Sequence, residues 1–245
     1  MNILAIGAHP DDIELGCGGL ALKAAKSGHN VYMYILTRGE ASGNSIHRTK
    51  ELIESSKLIK AKALWIDSFP DTHLTVNSDL IDHIEIFINK AQADLVLTHS
   101  LNDTHHDHRA VAASTIEAGR FVPNIMSYEI PLTKDFNPQS FYDISDVIDE
   151  KVSIIKLFKS QRNKIYLEAT AIKGLAAYRA LQSRLNSSTR SAELTHVEAF
   201  EVIKMYFDCG FKLANTSPLL MPNSLPTSSP KEILEILEGY KENRI

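Results

Sequence analysis

Four short apolar runs, residues 2–7, 31–36, 63–66 and 94–98, alternate with three stretches of helical period, and this alternation restricts the fold more than any other feature of the chain. Val31 to Leu36 is nearly all apolar or aromatic, the pattern of a strand covered on both faces in a parallel sheet. Residues 16–27 are rich in Ala, Leu and Lys, and residues 46–59 set Leu52, Ile53, Leu58 and Ile59 among charges. Residues 80–89 place Leu80, Ile84, Phe87 and Ile88 on one face behind Asn77, a suitable N-cap. Strands alternating with helices of this length predict an α/β, Rossmann-like, doubly wound and mostly parallel sheet. With Ile125 to Glu129 as a fifth strand, the strand order is 3-2-1-4-5.

In that order the first and fourth strands are neighbours where the winding reverses, and open α/β sheets bind ligands at that crevice, beyond the carboxyl ends of the strands. Both runs end in polar clusters. Ala8-His9-Pro10-Asp11-Asp12 follows the first, and Asn102-Asp103-Thr104-His105-His106-Asp107-His108 follows the fourth. The fold therefore brings the two clusters face to face.

The rest of the chain reads as helices over residues 109–118, 146–158, 168–185 and 197–205. Residues 217–230 are rich in Pro and Ser without a period and read as an extended arm or linker. Ser229-Pro230 then opens an amphipathic helix through Ile233, Ile236, Leu237 and Tyr240. Two parts result, a main domain over 1–210 and an arm with a terminal helix over 211–245. The tail suits packing on its own domain or on a second copy in a homo-oligomer.

A net charge of -4 without a long basic run argues against nucleic acid as a partner. No run approaches the roughly eighteen apolar residues of a membrane span. The N-terminal run is too short for a signal peptide and lacks a basic leader. Two cysteines, Cys17 and Cys209, are too few for a disulfide framework. These features fit a cytoplasmic protein, with Cys17 a packing residue.

Two histidines and one aspartate suit a zinc ion, and three protein ligands with one open position make a catalytic rather than a structural site. His9 and Asp12 can converge on one ion if the turn through Pro10 wraps them round it, while Asp11 projects elsewhere. His105 and His108 share a face if they begin a helix and His106 points away, so spacing leaves open which histidine binds. Zinc lowers the pKa of water from about 15.7 to about 7, and a spare carboxylate such as Asp11 can take the proton, a service worth roughly 10²- to 10⁴-fold in rate. His105, with Asp107 nearby, suits an oxyanion stabiliser or a proton donor to a leaving amine.

Plainer explanations exist. Paired aspartates after a strand can simply cap a helix, and histidines in a loop are often solvated. The arrival of both clusters at adjacent strand ends favours a site instead. His29, His47, His73, His83, His99 and His196 lack such context and read as surface or packing residues. Gly16-Cys17-Gly18-Gly19-Leu20-Ala21 matches the dinucleotide fingerprint G-x-G-x-x-A, but that motif should open at the strand's end, whereas the whole polar cluster intervenes here. These glycines are better read as allowing close helix-to-sheet packing.

With both clusters in view, the chain resembles the PIG-L/LmbE family of zinc-dependent N-deacetylases. Thr37-Arg38-Gly39-Glu40, Arg48 with Glu51, Pro70-Asp71, Tyr128-Glu129 with Pro131, Ser160-Gln161 and Glu198-Ala199-Phe200 also look like family positions, so the likeness spans residues 1–205. It implies His9, Asp12 and His108 as ligands of one zinc or other divalent ion. It further implies Asp11 as general base, His105 as acid or oxyanion stabiliser oriented by Asp107, Arg48 as a contact to substrate hydroxyls or phosphate, and Asp71 as a sugar contact. The implied activity of the 1–210 domain is removal of an acetyl group from an N-acetylated amino sugar or its conjugate by metal-activated water. Ester or phosphoester hydrolysis and non-catalytic sugar binding are the alternatives. His106 stands where the family usually has proline.

Overall fold

In the computed structural model, which describes residues 1–183 and 195–206, the elements in chain order are β1 (Asn2–Gly7), α1 (Asp12–Lys26), β2 (Asn30–Thr37), α2 (Ser45–Ile59), β3 (Ala63–Phe69), α3 (Ser78–Ala91), β4 (Leu95–His99), α4 (His106–Ala118), β5 (Asn124–Tyr128), β6 (Ser140–Asp143), α5 (Ile148–Ile155), α6 (Ala169–Gln182) and β7 (Val197–Lys204). One sheet joins the strands in the order β3-β2-β1-β4-β5-β7-β6. The first five pair in parallel, as predicted. The sheet then continues past the predicted order, with β7 antiparallel to β5 and β6 antiparallel to β7.

β7 corrects the expected helix over 197–205. Nothing in Val-Glu-Ala-Phe-Glu-Val-Ile-Lys forbids a helix, but β5 and β6 engage its backbone from both sides and Val197, Ala199 and Phe200 are buried. Pairing of distant segments overrides a weak local preference.

α1 begins at Asp12, four residues before the expected start at Gly16, and carries Asp12 and Glu14 in its first turn, where the helix dipole favours negative charge. The motif loop is correspondingly tight, and Asp11 adopts a left-handed backbone with φ 106. Close packing of the glycines is found: a Cβ on Gly16 would run into the Tyr128 ring. The helix is interrupted at Cys17, whose φ of -138 and ψ of 20 are not helical.

One face of the sheet buries Leu4, Ile6, Tyr34, Leu36 and Val96 against Leu80, Ile84 and Ile88 of α3 and Val111 of α4. Each such side chain contributes about 1.5–3 kcal/mol by leaving water. Asn77 caps α3 as predicted, its side chain accepting the Leu80 N–H. The arm and terminal helix expected over 211–245 lie outside the described residues, as does the boundary at 210. Among the described residues, no helix is long and apolar enough to cross a membrane.

Candidate active site

β1 lies between β2 and β4, so the chain reverses its winding at the β1 and β4 ends. His9 follows β1 and Asp12 opens α1; His105 is the N-cap of α4 and His108 sits in its first turn. Topology thus joins the two clusters. His9 Nδ1 is 3.1 Å from His108 Nε2, and Asp12 Oδ2 is 3.3 Å from His9 Nδ1. Asp12 Oδ1 is 3.5 Å from His108 Nε2. All three residues are buried.

Two imidazole nitrogens aimed at one another need a proton or a cation between them. A buried set of two such nitrogens and a carboxylate fits a divalent ion by donor chemistry. Donor atoms of His9, His105 and His108, and those of Asp12, His99 and His108, form two groups each within 4.8 Å. His108 is shared by both. His106 instead turns its Nε2 to the Thr72 carbonyl at 2.7 Å.

Behind the set stands a ring of carboxylates. His9 Nε2 is 2.9 Å from Asp71 Oδ1 and 3.1 Å from Asp107 Oδ2. Held there, the His9 proton sits on Nε2 and leaves Nδ1 to face His108 and Asp12, the usual way an outer carboxylate fixes a ligating histidine. Asp107 also accepts the Thr72 and Leu74 N–H groups at 2.8 and 3.0 Å. Its carboxylate therefore orients His9, not His105 as the resemblance implied. Its link to His105 is through the backbone, the Asp107 N–H donating to His105 Nδ1 at 3.2 Å.

The protonation tendencies follow from these contacts. Burial would lower His9, but Asp107, Asp12 and Asp71 hold it well above its ordinary value. Burial would raise Asp12, but His108, His99 and His9 hold its carboxyl well below the usual range, which keeps it an anion. Burial pushes Asp71 up, yet its bond to His9 outweighs this and leaves it at about 2. His105 is lowered by burial and by the electrostatic influence of the nearby His108 and His9 rings. With Nδ1 occupied as an acceptor, the neutral His105 ring carries its proton on Nε2.

Asp11 differs from Asp12 in its partners and in its proton affinity. It too is buried, its Oδ2 accepts no hydrogen bond among the described residues, and Arg48 Nη2 lies 3.3 Å from that oxygen. Burial raises its carboxyl, Arg48 opposes, Asp12 adds to the rise, and the result is about 6. Arg48 is only 1% exposed. It donates from Nη2 to the Pro10 carbonyl at 2.6 Å, and from Nη1 to the Gly39 carbonyl at 3.0 Å and Ser42 Oγ at 2.6 Å. Gly39 makes room for it: the φ of 68 is left-handed and a Cβ there would strike the guanidinium.

Seven of the eight residues singled out from the sequence line one cavity of about 330 Å³, and Asp107 lies behind His9. Ile130, Pro131, Leu132, Lys164 and Tyr166 also contribute to its lining. Two residues escaped the sequence reading. His99 ends β4, is fully buried, and stacks on His108 with ring centres 4.0 Å apart; its Nε2 accepts the Ala8 N–H at 3.1 Å. Its place at the end of the fourth strand was the available signal. Asp103 accepts the His105 N–H at 2.8 Å and lies 3.1 Å from His108 Nδ1.

The family model PIG-L, GlcNAc-PI de-N-acetylase, matches residues 4–119. The chain is 36% identical over 169 residues to the uncharacterized deacetylase YaiS of Escherichia coli, covering 65% of this chain and 91% of that one. It is 29% identical over 186 residues to the diacetylchitobiose deacetylase of Thermococcus kodakarensis, covering 65% and 70%. The crystal structure of GalB, the 4-carboxy-2-hydroxymuconate hydratase of Pseudomonas putida, superposes with a TM-score of 0.72 at 21% identity, over 85% of this chain and 98% of that one. That last likeness is one of fold alone, and one fold can host different chemistries.

Proposed function

This chain belongs to the PIG-L family of deacetylases, and on that premise we propose that it hydrolyses the N-acetyl group of an N-acetylated amino sugar or its conjugate with the help of one zinc ion. The observation that carries the proposal is the pairing, in one cavity, of the His9–Asp12–His108 donor set with an Asp11 carboxylate whose Oδ2 accepts no hydrogen bond among the described residues. His9, Asp12 and His108 would hold the ion. Bound there, zinc supplies Lewis acidity, polarising the acetyl carbonyl and bringing the pKa of water down to about 7.

Asp11 takes the proton of the attacking water. Burial raises the affinity of Asp11 for that proton while Arg48 keeps the carboxylate ionised enough to act, the balance a general base needs. His105 offers its Nε2–H to the carbonyl oxygen as negative charge develops there. When the C–N bond breaks, the proton on Asp11 passes to the leaving nitrogen, and acetate and a free amine result. Arg48 and Asp71 line the cavity, but the Arg48 Nη atoms and the Asp71 carboxylate already serve Pro10, Gly39, Ser42, Ala41 and His9. We therefore assign them to holding Asp11 and His9 in place rather than to gripping the sugar.

The test is acetate release by the zinc-loaded chain from N-acetylglucosamine conjugates, N,N'-diacetylchitobiose among them. Release from at least one supports the reading. Hydrolysis of esters or phosphoesters with none of acetylated sugars would replace it with the corresponding hydrolase, and sugar binding without turnover would replace it with a lectin-like role.

A further inference from the structure

α1 is broken at Cys17, and a helix broken inside a protein leaves carbonyls unpaired on one side and N–H groups on the other. Two charged side chains from the C-terminal part of the chain fill both gaps. Lys151 of α5 donates from Nζ to the Leu15 carbonyl at 2.7 Å, closing the end of the first segment. Glu198 of β7 accepts the Gly19 N–H on Oε1 at 2.7 Å and the Leu20 N–H on Oε2 at 2.8 Å, capping the start of the second. The two side chains meet at 2.6 Å and are almost wholly buried. Each charge matches the helix end it touches, a cation at carbonyls and an anion at amides. Gly19 permits the approach, since a Cβ there would stand 2.8 Å from Glu198 Oε1.

A buried ion pair is a poor way to gain stability, because leaving water costs charges more than an apolar pair of similar size. This pair is better explained by what it fixes. The segment before the break, Asp12 to Gly16, is too short to hold its own helical geometry, and it begins with Asp12. We infer that the Lys151–Glu198 pair positions the first turn of α1, and with it Asp12, at the site. The inference rests on the reading of Asp12 as a metal ligand. Lys151 and Glu198 are positioning residues, distant from the reacting atoms, and they tie the C-terminal part of the fold to the centre built by the N-terminal part.

Positioning is reciprocal: if the pair orders Asp12, a cation on Asp12 must order the pair. Hydrogen exchange on the wild-type chain, with and without zinc, should show the Gly19 and Leu20 amides better protected when zinc is bound. In parallel, Lys151→Met should bind zinc about 10- to 100-fold more weakly by chelator competition, the usual cost of losing an outer support. In Lys151→Met kcat should also fall with little change in KM, and Lys151→Arg, which keeps the cation, should restore most of both losses. Unchanged protection at Gly19 and Leu20 overturns the inference even if the variants do not fold. Folded Lys151→Met with wild-type zinc affinity overturns it as well. A wild-type chain that binds no zinc overturns the metal reading and this inference together, so the two failures are distinguishable.

Discussion

His9 Nδ1 and His108 Nε2 lie 3.1 Å apart although 99 positions separate them in the chain. The contact is a product of topology. β1 and β4 are neighbours only because the sheet reverses its winding between them; His9 sits just beyond β1, and His108 sits in the first turn of α4, the helix that follows β4. Remove the reversal and the two histidines belong to unrelated loops.

Asp11→Asn separates proton transfer from metal binding. The substitution leaves His9, Asp12 and His108 untouched, so the variant should retain its zinc while kcat falls roughly 10²- to 10⁴-fold. Metal analysis beside a kinetic assay reads both, and loss of zinc in this variant would show that Asp11 belongs to the ligand set.

The pH profile should depend on Arg48. Activity needs Asp11 ionised, so it falls as the pH drops through the Asp11 titration. The Arg48 guanidinium favours the ionised form against burial and Asp12. Arg48→Met keeps the stem and removes the charge, and should move the acidic limb of kcat/KM to higher pH. A limb that stays in place would mean that another group sets it.

Much of this was legible in the residues and part was not. Strand ends are local features, so the apolar run before His9 and the one before His99 were enough to place both clusters at one edge of the sheet. β7 was misread because its identity depends on β5 and β6, which no local window contains. His99 was passed over for a similar reason: as the last residue of a buried strand it resembles core, and only the stacking on His108 shows its part in the site. Asp71 and Asp107 stand out in the sequence, but that both carboxylates reach His9 is decided by loops folding over it, which no local pattern contains.

Asp71 should contribute to acid sensitivity. Its folded value of about 2 lies below the unfolded value of about 3.9, so it adds stability above pH ~4 that is lost as the pH falls toward 2. The contribution at neutral pH is at most about 2.6 kcal/mol. Denaturant titrations of wild type and Asp71→Asn should therefore differ at pH 7 and converge near pH 2; a gap that is constant with pH would assign the loss to packing instead.

Gly16→Ala tests the packing of α1 on β5. The added methyl meets the Tyr128 ring, whose hydroxyl is tied to the Ile6 carbonyl at 2.7 Å and cannot easily move. Overpacking of this kind costs about 1–3 kcal/mol, which a lowered midpoint in thermal or urea unfolding would report. Unchanged stability would show that α1 can shift away from the sheet.

The most direct measurement is the metal content of the purified chain beside that of His108→Ala, by elemental mass spectrometry after equilibration with zinc. The account predicts one zinc per wild-type chain and little or none in the variant, with deacetylation lost alongside. A variant that keeps a full equivalent of zinc at wild-type affinity would contradict the assignment of His108 as a ligand and move that role to His105 or His99.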